Sequence, residues 1–224
     1  MEVIGLLPIG GNATRMNGLP KFLLPCINQT SLLQNAIHNF QKHNITRILA
    51  GLSDINTFLL KNNTDIEKYT VNTKTMTETV KILLDKVNLS TSLSKNILIM
   101  PDTYFKMNNE LDKVIQLLDS YNIVVLVWKI QDYQIGHVGQ CDIVDNEVID
   151  IIDKCKTCDY QYVWGCIAWT SDMNKYIDPS WQTIGELVKI AIRLNIKIGA
   201  IKMDGVYYDC GTYTEYFNMI KECL

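Results

Sequence analysis

Val3-Ile4-Gly5-Leu6-Leu7-Pro8-Ile9-Gly10-Gly11-Asn12-Ala13-Thr14-Arg15-Met16 opens the chain, and Pro20-Lys21-Phe22-Leu23-Leu24-Pro25 follows after a short gap. A short apolar run closed by two glycines predicts a buried strand running into a tight loop. Glycine leaves backbone N–H groups uncovered, so a phosphate can approach them closely. Arg15 and Lys21 add two positive charges beside those amides, an arrangement suited to a triphosphate. The plainer reading is an ordinary strand and turn with two surface cations.

Outward from that stretch, strands and helices alternate. Thr30 or Ser31 can cap a helix through Leu32, Leu33, Ala36, Ile37 and Phe40, an apolar stripe at helical spacing that Asn44 ends. Residues 46–52 predict a strand, Asp54 starts a short helix, and residues 68–71 predict a weaker strand. Residues 75–87 predict a helix with Val80, Leu83, Leu84 and Val87 on one face. A short buried strand at 97–100 is stopped by Pro101-Asp102; a helix over 111–118 and an apolar strand over 123–128 follow. This alternation predicts an α/β fold: a three-layer, mostly parallel open sheet with helices on both faces.

The pattern changes after Trp128. Residues 138–144 and 147–152 predict two short strands about a turn at Asp145-Asn146, and 162–169 a long strand rich in aromatic and β-branched residues. An amphipathic helix over 183–194, a strand over 196–203, a compact turn over 207–212 and a closing helix over 213–224 complete the reading. No linker or repeat interrupts the chain. We therefore expect one domain over 1–224, with a nucleotide-binding half over 1–128 and small substrate-side β elements over 129–224.

Composition narrows the function. The chain has 224 residues, 47% of them hydrophobic and 20% charged, and a formal net charge of -3. Lys and Arg are scattered, which argues against a nucleic-acid groove or a membrane-surface patch. No secretory signal and no bilayer-length apolar run is present, so a cytoplasmic location is expected. The 7 cysteines lack framework spacing and are expected to be reduced; Cys155 and Cys158 form one C-x-x-C without a second pair to complete a zinc site.

In an open parallel sheet, ligands bind beyond the carboxyl ends of the strands. Three candidate groups fall there: the loop at 10–15, Asp102 after its strand, and Asp209 near the chain's end. Two carboxylates so far apart in sequence could share one Mg²⁺, an ion that takes carboxylates together with phosphate oxygens and water. Alone, Asp102 would read as a turn or helix-cap residue.

Taken in order, these motifs resemble the sugar-1-phosphate nucleotidylyltransferases, the superfamily of glucose-1-phosphate thymidylyl-, uridylyl- and cytidylyltransferases. Residues 7–16 with Pro20-Lys21 look like the signature loop, and Pro101-Asp102 matches the position of the metal ligand. Asp153-Lys154 resembles the Glu-Lys-Pro or Asp-Lys-Pro motif, Trp164-Gly165 the strand bordering the sugar, and Asp209-Cys210-Gly211-Thr212 the terminal Asp-x-Gly-Thr motif. The matches reach from residue 3 to residue 217. The chain departs from the pattern at Ala13, where a third glycine is usual, and at Cys155, where a proline is usual. The segment corresponding to Gly-Thr-Ala is blurred in Thr75-Met76-Thr77-Glu78.

The resemblance implies a Rossmann-like fold of the nucleotide-diphospho-sugar transferase type. It implies transfer of a nucleotidyl group from a nucleoside triphosphate, UTP or dTTP, to a sugar 1-phosphate, with Mg²⁺. Catalysis would fall to Arg15, Lys21, Asp102 and Asp209, the two aspartates holding the metal. The nucleotide would meet Pro8, Ile9, Gly10, Gly11, Asn12, Ala13, Thr14 and Thr77. The sugar phosphate would meet Lys154, Trp164, Gly165 and Glu186, although Glu186 also reads as a solvated helix residue. His137 reads as a loop residue without a special role. Two rivals remain: a cytidylyltransferase acting on a sugar, polyol or choline phosphate, and a non-catalytic nucleotide-sugar-binding relative. The aromatic-rich second half could carry a homo-oligomer interface.

Overall fold

The computed structural model describes residues 1–11, 16–27, 30–88 and 93–223. Asn12, Ala13, Thr14 and Arg15 lie outside the described residues, as does the side chain of Val87. The opening apolar run forms β1 (Glu2–Ile9), the centre of a parallel unit. It pairs with β2 (Arg47–Leu52) on one side and β4 (Ser94–Ile99) on the other; β2 pairs in turn with β3 (Glu67–Thr70). Because these strands run the same way, the loop after Ile9 and the residues after Ile99 emerge at one edge of the sheet.

Side chains alternate along each strand and feed two apolar clusters. Leu7, Ile48 and Ala50 join one cluster with Leu33, Ala36, Ile37 and Phe40 of α1 (Leu32–Lys42) and with Leu111 and Val114 of α4 (Glu110–Leu117). Ile4, Leu6 and Leu49 join the other with Val80, Leu83 and Leu84 of α3 (Met76–Asn88) and with Leu187, Val188 and Ala191 of α5 (Gly185–Arg193). Helices thus cover both faces. Each fully buried Leu, Ile or Phe contributes about 1.5–3 kcal/mol, so Leu33, Ile37 and Phe40 on α1 outweigh its intrinsic propensity. The α1 start is fixed by a capping box: Ser31 Oγ accepts from Gln34 N, and Gln34 Oε1 accepts from Ser31 N. Asn44, at φ 57°, ends the helix in the left-handed conformation.

The expectation of a mostly parallel open sheet is corrected. Among the described residues, the main sheet holds nine strands in the order β3-β2-β1-β4-β9-β6-β10-β8-β7, and it is mixed. The aromatic-rich strand β9 (Tyr162–Thr170) lies between β4 and β6 (Ile123–Lys129), antiparallel to both. Beyond them, β10 (Ile198–Lys202) is parallel to β6, and the hairpin of β7 (Gly139–Val144) and β8 (Glu147–Asp153) is antiparallel. β7 also pairs back onto β9, so the last five strands close into a small barrel. A strand buried on both faces is apolar whichever way it runs, so its sequence carries no direction. The hairpin itself follows from Asp145 and Asn146, both at positive φ, the backbone of a tight two-residue turn.

The turn expected over 207–212 is in part a strand. β11 (Tyr208–Asp209) pairs antiparallel with β5 (Thr103–Tyr104), a two-stranded ladder that precedes α6 (Tyr213–Cys223). α2 (Asp54–Leu59) completes the helices.

Candidate active site

A cleft of about 200 Å³ opens at the carboxyl edge of β1 and β4. Pro8, Ile9, Gly10 and Gly11 form one wall, Pro20, Lys21 and Phe22 another, and Met100, Pro101 and Asp102 a third. Thr73, Lys74, Thr75, Met76 and Thr79, around the start of α3, complete it. The two glycines differ in their surroundings. A Cβ on Gly10 would lie 3.3 Å from both Thr73 Oγ1 and Thr79 Oγ1, whereas one on Gly11 would meet nothing within 4 Å. Gly11 therefore presents open backbone. The strand end that carries these glycines is held by Asn56 of α2, whose buried Nδ2 donates to Ile9 O at 2.6 Å.

Lys21 sits on a short 3₁₀ turn (Lys21–Leu23) pinned by the buried ring of Phe22. Its Nζ donates to Asp102 Oδ2 at 3.2 Å, with the side chains only 11% and 22% exposed. The structure thus brings together two residues 81 positions apart in sequence. Asp209 joins them through the β5–β11 ladder: it pairs with Thr103, and the next residue, Cys210, donates its N–H to Asp102 O at 3.0 Å. Two buried groups register both carboxylates. Burial, then the charges of Asp209 and Asp102, push the Tyr207 phenol and the Cys210 thiol well above their ordinary values.

Among the described residues, no cluster of three or more His, Cys, Asp or Glu gathers as a metal site. Mg²⁺ does not require one, since it is held by one or two carboxylates plus substrate phosphates. Asp102, which lines the cleft, and Asp209, paired across the ladder with the neighbouring Thr103, fit that donor set.

The start of α3 shows a difference of helical phase. Thr77 is fully buried, does not line the cleft, and its hydroxyl has no hydrogen-bond partner among the described residues. Thr75 and Thr79, four apart and therefore on one face, line the cleft instead. Thr75 Oγ1 accepts from Glu78 N and donates to Pro179 O, which caps the helix and ties it to the second half of the chain. The Thr-x-x-Glu spacing was the visible sign of that cap; Asn56 carried no sequence signal.

The residues expected on the sugar side do not line this cleft. Lys154 is exposed at φ 52°, just past β8. Trp164 is buried at 9% exposure and packs over Gly139, where a Cβ would strike its indole. Gly165 is needed for close approach, but what approaches is protein: a Cβ there would clash with the ring of Tyr207 and come within 2.8 Å of Trp128. Those rings form an aromatic cluster with Phe105, at centroid distances of 4.8 to 5.9 Å. Glu186 is ion-paired with Lys189 at 2.6 Å, and His137 is exposed.

No protein-family model and no curated protein matches the chain. Solved structures do. A structure assigned as a glucose-1-phosphate thymidylyltransferase from Bacillus anthracis, in complex with sucrose, superposes with a TM-score of 0.83 at 16% identity, covering 99% of this chain and 95% of that one. UTP-bound UGPase from Acinetobacter baumannii matches at 0.77 and 13% identity, over 99% and 93% of the two chains. UDP-glucose pyrophosphorylase from the same organism matches at 0.78 and 12%, with the same coverage. At these identities the likeness establishes the fold: it is the one found in solved sugar-1-phosphate nucleotidylyltransferase structures.

Proposed function

We propose that the chain transfers a nucleotidyl group from a nucleoside triphosphate, UTP or dTTP, to a sugar 1-phosphate, releasing pyrophosphate. The observation that carries this reading is the meeting of Gly10, Gly11, Lys21 and Asp102 at one cleft, with Asp209 beside them, on a fold shared with such enzymes. The nucleophile is already a phosphate oxyanion, so no general base is required. Catalysis reduces to positioning and charge neutralisation.

In this reading the open backbone of Gly11, with the amides of Gly10 and Asn12, receives the nucleotide phosphates. Lys21 stabilises charge at the α-phosphate, and Arg15 neutralises the departing β,γ-phosphates. The triphosphate offers Lys21 an acceptor in competition with Asp102. Asp102 and Asp209 would hold Mg²⁺, which when bound supplies charge neutralisation between the two phosphates. Lys154 meets the sugar phosphate, while Trp164 and Gly165 shape that side through the packing they hold.

A thermal-shift series with UTP, dTTP, CTP, ATP and GTP, each with and without Mg²⁺, tests the reading. A ligand at a hundred times its dissociation constant adds about 2.7 kcal/mol to apparent stability. UTP or dTTP should raise the midpoint most, and more with Mg²⁺. No shift with any triphosphate would overturn the proposal.

A further inference from the structure

Cys26, Cys141, Cys166 and Cys210 are buried, whereas Cys155 and Cys158 stand partly exposed in the loop between β8 and β9. That loop is built on one fully buried amide. Gln140 of β7 donates through Nε2 to Cys155 O at 2.6 Å and accepts through Oε1 from Cys158 Sγ at 2.9 Å. A single core side chain thereby fixes one cysteine through its backbone and the other through its sulfur. The two thiols influence each other's charge, and Cys155 Sγ lies 3.7 Å from Thr157 Oγ1.

The two sulfurs differ in chemistry. Hydrogen bonds from the backbone and side chain of Thr157 pull the Cys155 thiol below its ordinary value, while desolvation pushes Cys158 up. The thiolate is the nucleophile in thiol–disulfide exchange, so the partly exposed Cys155 is the attacking sulfur and the Gln140-bound Cys158 the one that follows.

We propose that Cys155 and Cys158 are a dithiol–disulfide couple, oxidised by a small-molecule disulfide of the glutathione type. The Cys155 thiolate, its proton released to solvent, attacks the S–S bond of the small disulfide, forms a mixed disulfide and expels one thiolate. Cys158 gives its proton to that thiolate, attacks Cys155 Sγ and expels the second thiolate, which takes a proton from solvent. Two protein thiols and one disulfide become one protein disulfide and two small thiols. Closing the bridge removes the S–H that Gln140 Oε1 accepts, leaving a buried acceptor unpaired. The reduced form is favoured by that bond, so the bridge reopens readily. This chemistry stands apart from nucleotidyl transfer and is tested apart from it.

Protein incubated with glutathione disulfide, quenched with iodoacetamide and mapped by peptide mass spectrometry should carry a Cys155–Cys158 bridge that reopens in excess reduced glutathione. Cys158→Ser keeps a donor to Gln140 and should trap glutathione on Cys155, whereas Cys155→Ser should leave Cys158 unmodified. In reduced protein, Cys155 should alkylate roughly tenfold faster than Cys223, whose thiol is raised by burial. A wild-type chain that holds glutathione on Cys155 without forming the bridge would overturn the proposal. So would a folded Cys158→Ser chain, checked by circular dichroism, that gains no adduct at Cys155.

Discussion

Replacing Lys21 by Met, Asp102 by Asn, and both together probes the fold and the chemistry with one set of proteins. At 3.2 Å, two unit charges attract by about 5 kcal/mol at an effective dielectric constant of about 20. Most of that is offset, because both side chains are largely withdrawn from water. Exposed pairs contribute about 0–1 kcal/mol, and deleting one partner of a fully buried pair costs about 3–5 kcal/mol. A pair at 11% and 22% exposure falls between these limits, so each single variant should lose about 2 kcal/mol in urea denaturation. The double variant should lose less than the sum of the two, with a coupling of about 1–2 kcal/mol. In turnover the expectation is different. Each single variant should lose about 10²–10³ in kcat/KM, the cost of removing one preorganised group facing developing charge. Additive stability losses would refute the ion pair, and wild-type kcat/KM in Lys21→Met would refute its place at the α-phosphate.

Gly11→Ala should leave the urea midpoint unchanged, since its Cβ meets nothing within 4 Å, yet weaken triphosphate binding in a calorimetric titration by covering the open amide. Gly165→Ala should cost about 1–3 kcal/mol or more of stability by overpacking, because the new Cβ would press on a Tyr207 ring already stacked with Phe105 and packed against Trp128; an unchanged midpoint would contradict that packing. Asn56→Ala leaves the Ile9 carbonyl without its buried donor and should cost about 1–3 kcal/mol in denaturant, with a matching loss of triphosphate affinity. Chelation with EDTA should abolish pyrophosphate release and restored Mg²⁺ should recover it; full activity in EDTA would refute a metal at Asp102 and Asp209.

The residues that meet at the cleft were legible because they sit where strands end. An apolar run closed by Gly10-Gly11 and a buried strand closed by Pro101-Asp102 are local signals, and parallel pairing of β1 with β4 carries both to one edge. What joins Asp209 to them was not legible, because β5 and β11 are two residues each and too short to show alternation. The direction of β9 was hidden for a different reason: a strand buried on both faces reads the same either way. At α3 the sequence located the helix start but not its phase, so Thr77 was expected where Thr75 and Thr79 stand. Gly165 announced a close approach without saying by what, and the answer is the Tyr207 ring.

The proposed role of the cleft between Gly10 and Asp102 is nucleotidyl transfer to a sugar 1-phosphate. The most direct measurement is pyrophosphate release from UTP or dTTP with a panel of sugar 1-phosphates and Mg²⁺, compared among wild type, Asp102→Ala and Asp209→Ala. Release should depend on the sugar phosphate in the wild type and be lost in both folded variants. Sugar-phosphate-dependent release that survives both substitutions would contradict that role.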